Sequence, residues 1–294
     1  MIVFDGEAAA AEILQRVKVS VDALQKKGIV PHVAAVLFQE DIGSQLYSQK
    51  KSVAAQSVSI EYSLHSFSFS DDVDLVLSTL EKLNQDSCVT GIIIQKPTRK
   101  TWEHNLTEQG SNAFSQWWHG LYSKVEQSKD VDGLHPETLQ RIKAGKYENS
   151  VKPATVRAVE YILEKYNIYG KNKKIIIVGK SDLLGYPLFY ILRNAQENVE
   201  LIGKKEMKER QKSGLDMRDA DVVVSATGVQ HLVTASMLKD GVSLIDVGEP
   251  RADIDPYGLE GKAAFLSPVP GGVGPVTIAC LMENVIQLCY NHFQ

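Results

Sequence analysis

Cysteine is scarce in this chain: three in 294 residues, Cys88, Cys280 and Cys289, far apart and odd in number. No CxxC pair occurs, so neither a disulfide framework nor a zinc site is suggested. An excess of one charge is also missing. The formal net charge is -4, which leaves no strong field to attract nucleic acid. The single local run of positive residues, Lys204 to Lys212, is short enough to be a solvated face. No uninterrupted apolar run approaches the roughly 20 residues that cross a bilayer. The amino terminus, MIVFDGEAAAAEILQRVK, lacks the basic stretch and apolar core of a signal peptide. Internal repeats and low-complexity tracts are absent as well. Together these absences predict a chain without nucleic-acid or membrane partners, in a reducing, cytoplasmic setting.

What is present fits an ordinary globular protein: 44% hydrophobic and 23% charged residues, over a length of about two domains. Ile13, Leu14, Val17, Val21 and Leu24 stand at helical spacing within 6–27, and Gly28 supplies a stop. An apolar strand (33–38), a helix (44–56), an alternating strand (60–67), an amphipathic helix (71–83) and a short apolar strand (91–94) follow. This alternation predicts a mostly parallel sheet covered on both faces. Residues 98–128 break the rhythm, mixing polar residues with Trp102, Phe114, Trp117, Trp118 and Tyr122. A structureless loop of that length is uncommon, so the aromatics are expected to pack against the protein's own core or a partner. The alternation restarts with a helix (153–166), a strand (173–178) and strands at 199–202, 221–225 and 242–247. That is the pattern of an open parallel, Rossmann-like sheet. The fold class is therefore α/β, with two α/β domains, the second Rossmann-like, and a cleft between them. The boundary falls near 145–152, and the last helix (277–290) is expected to return to the first domain.

Four segments draw attention chemically. The loop Gly179-Lys-Ser-Asp-Leu-Leu-Gly185 joins a buried strand to a helix, where glycines let backbone approach a phosphate and a helix amino terminus offers free N–H groups. Serine replaces the second glycine of the common GxGxxG, and a plain strand-to-helix turn would use the same residues. The next strand ends in Ile202-Gly203-Lys204-Lys205, without the acid that often holds the ribose hydroxyls of NAD. Lys180, Lys204 and Lys205 are candidates for a 2′-phosphate, which favours NADP over NAD. Tyr47 and Lys51 lie four apart on one helical face. A buried lysine there moves protons, although a solvated lysine beside a core tyrosine is the commoner use of that spacing. Gln95 ends the apolar strand IIIQ, facing a ligand crevice or capping the strand. In Asp130-Val-Asp132-Gly133 only one acid can face a given ligand, and Asp132 serves equally as a helix cap. Finally, Ser267-Pro-Val-Pro-Gly-Gly-Val-Gly-Pro-Val-Thr277 packs three prolines and three glycines into a rigid loop suited to backbone contact with a ligand.

With SQLYSQKKSVAA (44–55), GIIIQKP (91–97), KDVDGLHP (129–136), VGKSDLLGYP (178–187), VVVSATG (222–228), LIDVG (244–248) and PVPGGVGPVT (268–277), the chain resembles the bifunctional methylenetetrahydrofolate dehydrogenase/cyclohydrolases of the FolD type. The resemblance covers nearly the whole chain, 98–128 excepted. It implies a folate-binding catalytic domain (1–150, joined by the C-terminal helix 278–294) and an NAD(P)-binding Rossmann domain (151–277). It implies that methylene-tetrahydrofolate is oxidised with NADP and that the methenyl product is then hydrolysed to formyl-tetrahydrofolate. Lys51 would serve the hydrolytic step, with Gln95 tuning its protonation. Tyr47 would position the folate, and Asp132 would hold the pterin. Gly179, Lys180, Ser181, Gly185, Thr227 and Gly228 would hold the dinucleotide, with Lys180 where the family usually has arginine. Pro268, Pro270, Gly271 and Gly272 would line the substrate. No metal is implied, and a homodimer is expected. Three segments depart from the family: Lys96-Pro-Thr-Arg99 replaces LPLP, Pro153-Ala-Thr-Val156 replaces PCTP, and the aromatic segment 98–128 is longer than the usual connection by about a dozen residues, as a cover for the folate cleft or a subunit contact. A monofunctional dehydrogenase, a catalytically silent folate- or nucleotide-binding homologue, and a two-domain dehydrogenase acting on a small acid are the competing readings.

Overall fold

The computed structural model describes residues 1–106, 112–148 and 150–292. Its backbone divides into two compact units, and each draws on separate parts of the chain. One comprises Glu12–Gln140, Glu148–Lys152 and Leu281–Gln294; the other comprises Met1–Ala11, Arg141–Tyr147 and Pro153–Cys280.

After β1 (Ile2–Val3) and α1 (Gly6–Gln25), the first unit is built on β2 (His32–Phe38), α2 (Ile42–Ser57), β3 (Glu61–Phe67), α3 (Val73–Gln85) and β4 (Gly91–Ile94). Its three strands run parallel in the order β3-β2-β4. β2 is buried on both faces apart from half-buried His32, as a central parallel strand requires. Asp130 bridges to Ile92 on the outer side of β4. A Cβ on Gly91 would run into the Val131 side chain, so glycine admits this segment to the sheet.

The aromatic segment is not structureless. It forms α4 (Arg99–Asn105) and α5 (Ala113–Tyr122); residues 107–111 lie outside the described residues. Thr98 starts α4, its Oγ1 accepting from the Thr101 N–H at 3.2 Å. Trp102, Trp118 and Tyr122 are buried in one cluster with Phe38, Phe67 and Phe69. The segment thus packs on the unit's own core. The Lys96 ammonium lies 5.6 Å from the Phe114 ring and 5.1 Å from Trp118. The altered residues after Gln95 and the aromatic segment are therefore one packing arrangement.

In the second unit, α6 (Pro136–Lys143) contributes its end, followed by α7 (Ala154–Lys165), β5 (Lys174–Val178), α8 (Gly185–Asn194), β6 (Asn198–Ile202), α9 (Lys204–Lys212), β7 (Val222–Ser225), β8 (Val242–Asp246) and β9 (Ala263–Ser267). Six strands run parallel in the order β1-β9-β8-β7-β5-β6. The direction of winding reverses between β5 and β7, and ligands of open α/β sheets bind outside the carboxyl ends of the strands at such a point.

The sequence showed no apolar run of bilayer length, yet α10 (Val273–His292) reaches it as a helix. Its polar residues are few, and 72% of its apolar window is buried inside the protein, as in a core helix. Trp102 is among the largest fully buried side chains. Trp102→Ala is expected to cost about 3–5 kcal/mol, read as a lower urea midpoint; a loss no larger than that of an exposed-site control would contradict this packing.

Candidate active site

α2 is a helix turned inside out. Its buried residues are Ser44, Ser48, Lys51 and Ala55, one stripe at spacings of three and four. Its exposed residues include Ile42, Leu46 and Val53, at 71%, 57% and 62% exposure. Asp41 caps the helix, accepting from the Ser44 N–H at 2.8 Å and from the Thr98 N–H at 2.9 Å. Burial raises the Asp41 carboxyl, but those amides and the Thr101 and Ser44 side chains outweigh it and leave the pKa below the usual value.

The Lys51 ammonium, with a side chain 5% exposed, faces Asp132 Oδ1 at 3.6 Å. It also lies 5.4 Å from the centre of the Tyr47 ring. Lys51, Tyr47 and Asp132 are therefore gathered at one place. Gln95 is buried at the end of β4, and its Nε2 finds no hydrogen-bond partner among the described residues. A buried, unanswered amide is costly in a folded protein, and Gln95 shares that condition with Ser267 Oγ of the proline- and glycine-rich loop.

Two residues of this cluster escaped the sequence reading. The Tyr62 hydroxyl and Ser48 Oγ are 2.8 Å apart. Burial first, then the charge of Asp132, push the Tyr62 phenol up to about 12 despite the Ser48 hydrogen bond. Only the i, i+4 spacing of Ser44, Ser48 and Ser52 offered a sequence signal.

Asp130 organises the loop that carries Asp132. It accepts from the Tyr122 hydroxyl at 2.9 Å, the Leu134 N–H at 3.0 Å, the His135 N–H at 2.9 Å and Thr138 Oγ1 at 3.1 Å. Burial raises its carboxyl against the hydrogen bonds from His135, Leu134 and Tyr122. Of the two acids, Asp130 is structural and Asp132 faces Lys51.

In the other unit, Gly179 has φ 116 and follows β5. A Cβ there would strike the Ala226 carbonyl, and one on Gly185 would strike the Gly179 carbonyl. Glycine is thus required for the loop after β5 to lie against the loop after β7. Ser181 Oγ accepts weakly from the Leu184 and Gly185 N–H groups, at 3.3 and 3.4 Å. Thr227 donates to Asp253 Oδ2 through its N–H at 2.6 Å and its hydroxyl at 2.8 Å, and Gly228 follows it with φ 68. Asp253 was not foreseen. The fully buried Ser225 also donates to it, at 2.8 Å, so one carboxylate fixes this whole turn. Asp246 holds Asp253 in turn, accepting from the Asp253 N–H at 3.2 Å.

Lys180 reaches across to α9, where its Nζ lies 2.5 Å from Glu206 Oε1. Glu206 Oε2 also accepts from the Gly203 N–H at 2.9 Å. An acid thus stands beside the end of β6 after all, carried by the first turn of α9. Lys204 and Lys205 are exposed on that helix, with Lys205 3.9 Å from Glu209. In the proline- and glycine-rich loop, Gly271 accepts from the Gly6 N–H at 2.8 Å. A Cβ on Gly272 would meet the Pro268 carbonyl and Ser267 Oγ. Pro268 is half-buried, Pro270 is exposed, and Ser267 Oγ is buried without a partner among the described residues.

The sheet order and the glycine turn at its switch point place the second unit in the Rossmann-like class. The sequence matches two family descriptions: the catalytic domain of tetrahydrofolate dehydrogenase/cyclohydrolase over residues 4–112, and its NAD(P)-binding domain over 153–293. The chain belongs to the tetrahydrofolate dehydrogenase/cyclohydrolase family. It is 34% identical to the bifunctional protein FolD of Nautilia profundicola, covering 99% of this chain and 98% of that one. Among solved structures it is similar to the bifunctional FolD enzyme of Campylobacter jejuni (TM-score 0.85, 29% identity, 99% of each chain). It is also similar to a methylenetetrahydrofolate dehydrogenase of the silkworm, Bombyx mori (TM-score 0.86, 26% identity, 99% of each chain).

The pH dependence of Tyr62 follows from its burial. Its folded pKa of about 12 lies above the ordinary 10.0, so the native state retains a proton that the unfolded state loses. Its contribution to stability is full below pH 10 and is lost as the pH rises toward 12. Urea midpoints measured at both ends of that window should fall less for Tyr62→Phe than for the parent protein. An equal fall would contradict the assignment.

Proposed function

We propose that this chain oxidises 5,10-methylenetetrahydrofolate to the methenyl form with NADP and then hydrolyses that product to 10-formyltetrahydrofolate. The observation that carries the reading is the buried Lys51 amine facing Asp132 at 3.6 Å beside the Tyr47 ring. Family membership and the bifunctional relative at 34% identity support both steps.

Asp132 presents a carboxylate to the paired amino and ring N–H donors of a pterin. Tyr47 offers a flat ring against which the pterin stacks. The unanswered Gln95 amide offers a donor to the bound folate or to the water that adds to it. When the pterin takes Asp132, Lys51 gives up this carboxylate partner and turns to the hydrolytic step. That amine accepts a proton from the water attacking the electrophilic methenyl carbon. Tyr62 stays protonated throughout the working range and orients Ser48 on the same helix face.

The turn formed by Gly179, Lys180, Ser181 and Gly185, with Thr227 and Gly228 beside it, fits a dinucleotide. Backbone approaches closely there, a helix starts there, and one cation is at hand. When bound, the nicotinamide supplies the hydride acceptor for the methylene carbon. Lys180 is the side chain placed to favour a 2′-phosphate, with exposed Lys204 and Lys205 adding positive charge nearby. Pro268, Pro270, Gly271 and Gly272 belong to a loop held by close backbone contacts, Gly272 against the Pro268 carbonyl and Gly271 against the Gly6 N–H, and family membership supports reading them as substrate-lining residues.

The reading carries a cytoplasmic location, in keeping with three cysteines that form no disulfide. It also carries a homodimer. β3 is the sheet edge with no strand beyond it among the described residues, and Leu64 on it is 52% exposed. The outward apolar residues of α2 lie next to that edge in sequence, and an open strand edge invites a second strand.

Absorbance tests both steps. With methylene-tetrahydrofolate, reduced cofactor should form more efficiently from NADP than from NAD. Lys51→Met should leave that oxidation measurable while decay of added methenyl-tetrahydrofolate slows by about 10²–10⁴-fold. Equal loss of both steps would sink the assignment of Lys51. In sedimentation equilibrium the purified chain should weigh twice its 32.5 kDa, and Leu64→Lys should shift it toward the monomer. A monomeric parent protein would refute the dimer.

A further inference from the structure

The cation nearest the glycine turn is already engaged. Lys180 Nζ contacts Glu206 Oε1 at 2.5 Å, and both side chains are about one-third exposed, at 33% and 35%. The pair is held from both ends. The Lys180 stem packs against Gly203, where a Cβ would stand 3.1 Å from Lys180 Cδ. The other carboxylate oxygen of Glu206 accepts from the Gly203 N–H at 2.9 Å. Lys180 therefore bridges the turn after β5 and the turn after β6, and in a Rossmann-like sheet the adenosine ribose of a dinucleotide comes to that second turn. The hydrogen bond from Lys180 first, then backbone amides, hold the Glu206 carboxyl down to about 2, so it remains an anion at any working pH.

A ribose 2′-phosphate and this carboxylate want the same ammonium and repel one another. A ribose 2′-hydroxyl, by contrast, is a donor, and a carboxylate has about four lone-pair sites, more than are engaged here. We propose that Glu206 is the residue that limits the preference for NADP: its carboxylate competes with the 2′-phosphate for Lys180, and it accepts from the 2′-hydroxyl of NAD. NADP binds by displacing Glu206 from Lys180, so the Lys180–Glu206 pair is a built-in competitor rather than a surface ion pair. This rests on the reading of the glycine turn as the dinucleotide site.

Adenosine 2′,5′-bisphosphate and 5′-AMP serve as probes, because neither needs folate or the nicotinamide chemistry. Calorimetric titration compares the parent protein with Glu206→Gln, Lys180→Ala and the double variant. Glu206→Gln should tighten the bisphosphate about tenfold, the size of one charge-assisted contact, and should leave 5′-AMP unchanged or weaker. On the Lys180→Ala background the gain should shrink to what charge repulsion alone leaves, well under half. In steady-state assays the ratio of kcat/KM for NADP over NAD should rise to match. Glu206→Ala, which leaves no side chain to compete, should move the same way. Unchanged bisphosphate binding, equal tightening of both nucleotides, or a full gain without Lys180 would overturn the role of Glu206. If no variant binds either nucleotide, the dinucleotide site itself is refuted, and this proposal with it.

Discussion

A charged amine does not stay buried without a reason. Lys51 is nearly excluded from solvent and meets a carboxylate at a distance longer than a good hydrogen bond. Removing an ammonium from water costs several kcal/mol even after the protein relaxes, and a fold seeking stability alone would fill the space with a hydrocarbon side chain. The unit is instead arranged to tolerate the charge. α2 turns its serines inward and its aliphatic residues outward. Asp41 and Thr98 lock the start of that helix to the segment beyond Gln95. Asp130, with four donors upon it, fixes the loop that brings Asp132 into range. Polar residues that would weaken an ordinary core are here the purpose of the core.

The nucleotide-binding unit answers a different constraint, that of backbone meeting backbone. Gly179, Gly185 and Gly272 each stand where a methyl group would occupy the space of a neighbouring carbonyl. The turns after β5 and β7 consequently touch, and two buried acids, Asp246 and Asp253, tie the second turn down. Rigidity comes from hydrogen bonds to carboxylates at the strand ends, which leaves the exposed rim free to vary in charge.

Much of this was legible in the sequence because periodicity survives where burial is one-sided or complete. β4 was bounded to the residue, and α1, α2, β2 and β5 to within about two, the usual looseness of element ends. The parts that escaped have physical reasons. β1 is two exposed residues long and exists only through its pairing with β9. α9 buries a single residue, Met207, so its sequence carries no apolar stripe to read. The helices of the aromatic segment are short, and their large side chains converge from both on one cluster instead of repeating along either. Within the site, Lys51, Tyr47 and Asp132 were visible as motif residues. Tyr62, Asp253 and Glu206 were not, since each acts through a contact between elements that no local spacing encodes.

Lys96 and the aromatic segment are joined physically, and the join reaches the site. The ammonium rests on the rings of Phe114 and Trp118, and Tyr122 from the same helix holds Asp130. Neither stands alone: an aliphatic residue at position 96 would leave those rings without their cation, and loss of Tyr122 would leave a buried carboxylate one donor short. A change in the helix that carries Tyr122 is therefore felt in the loop that brings Asp132 to the amine.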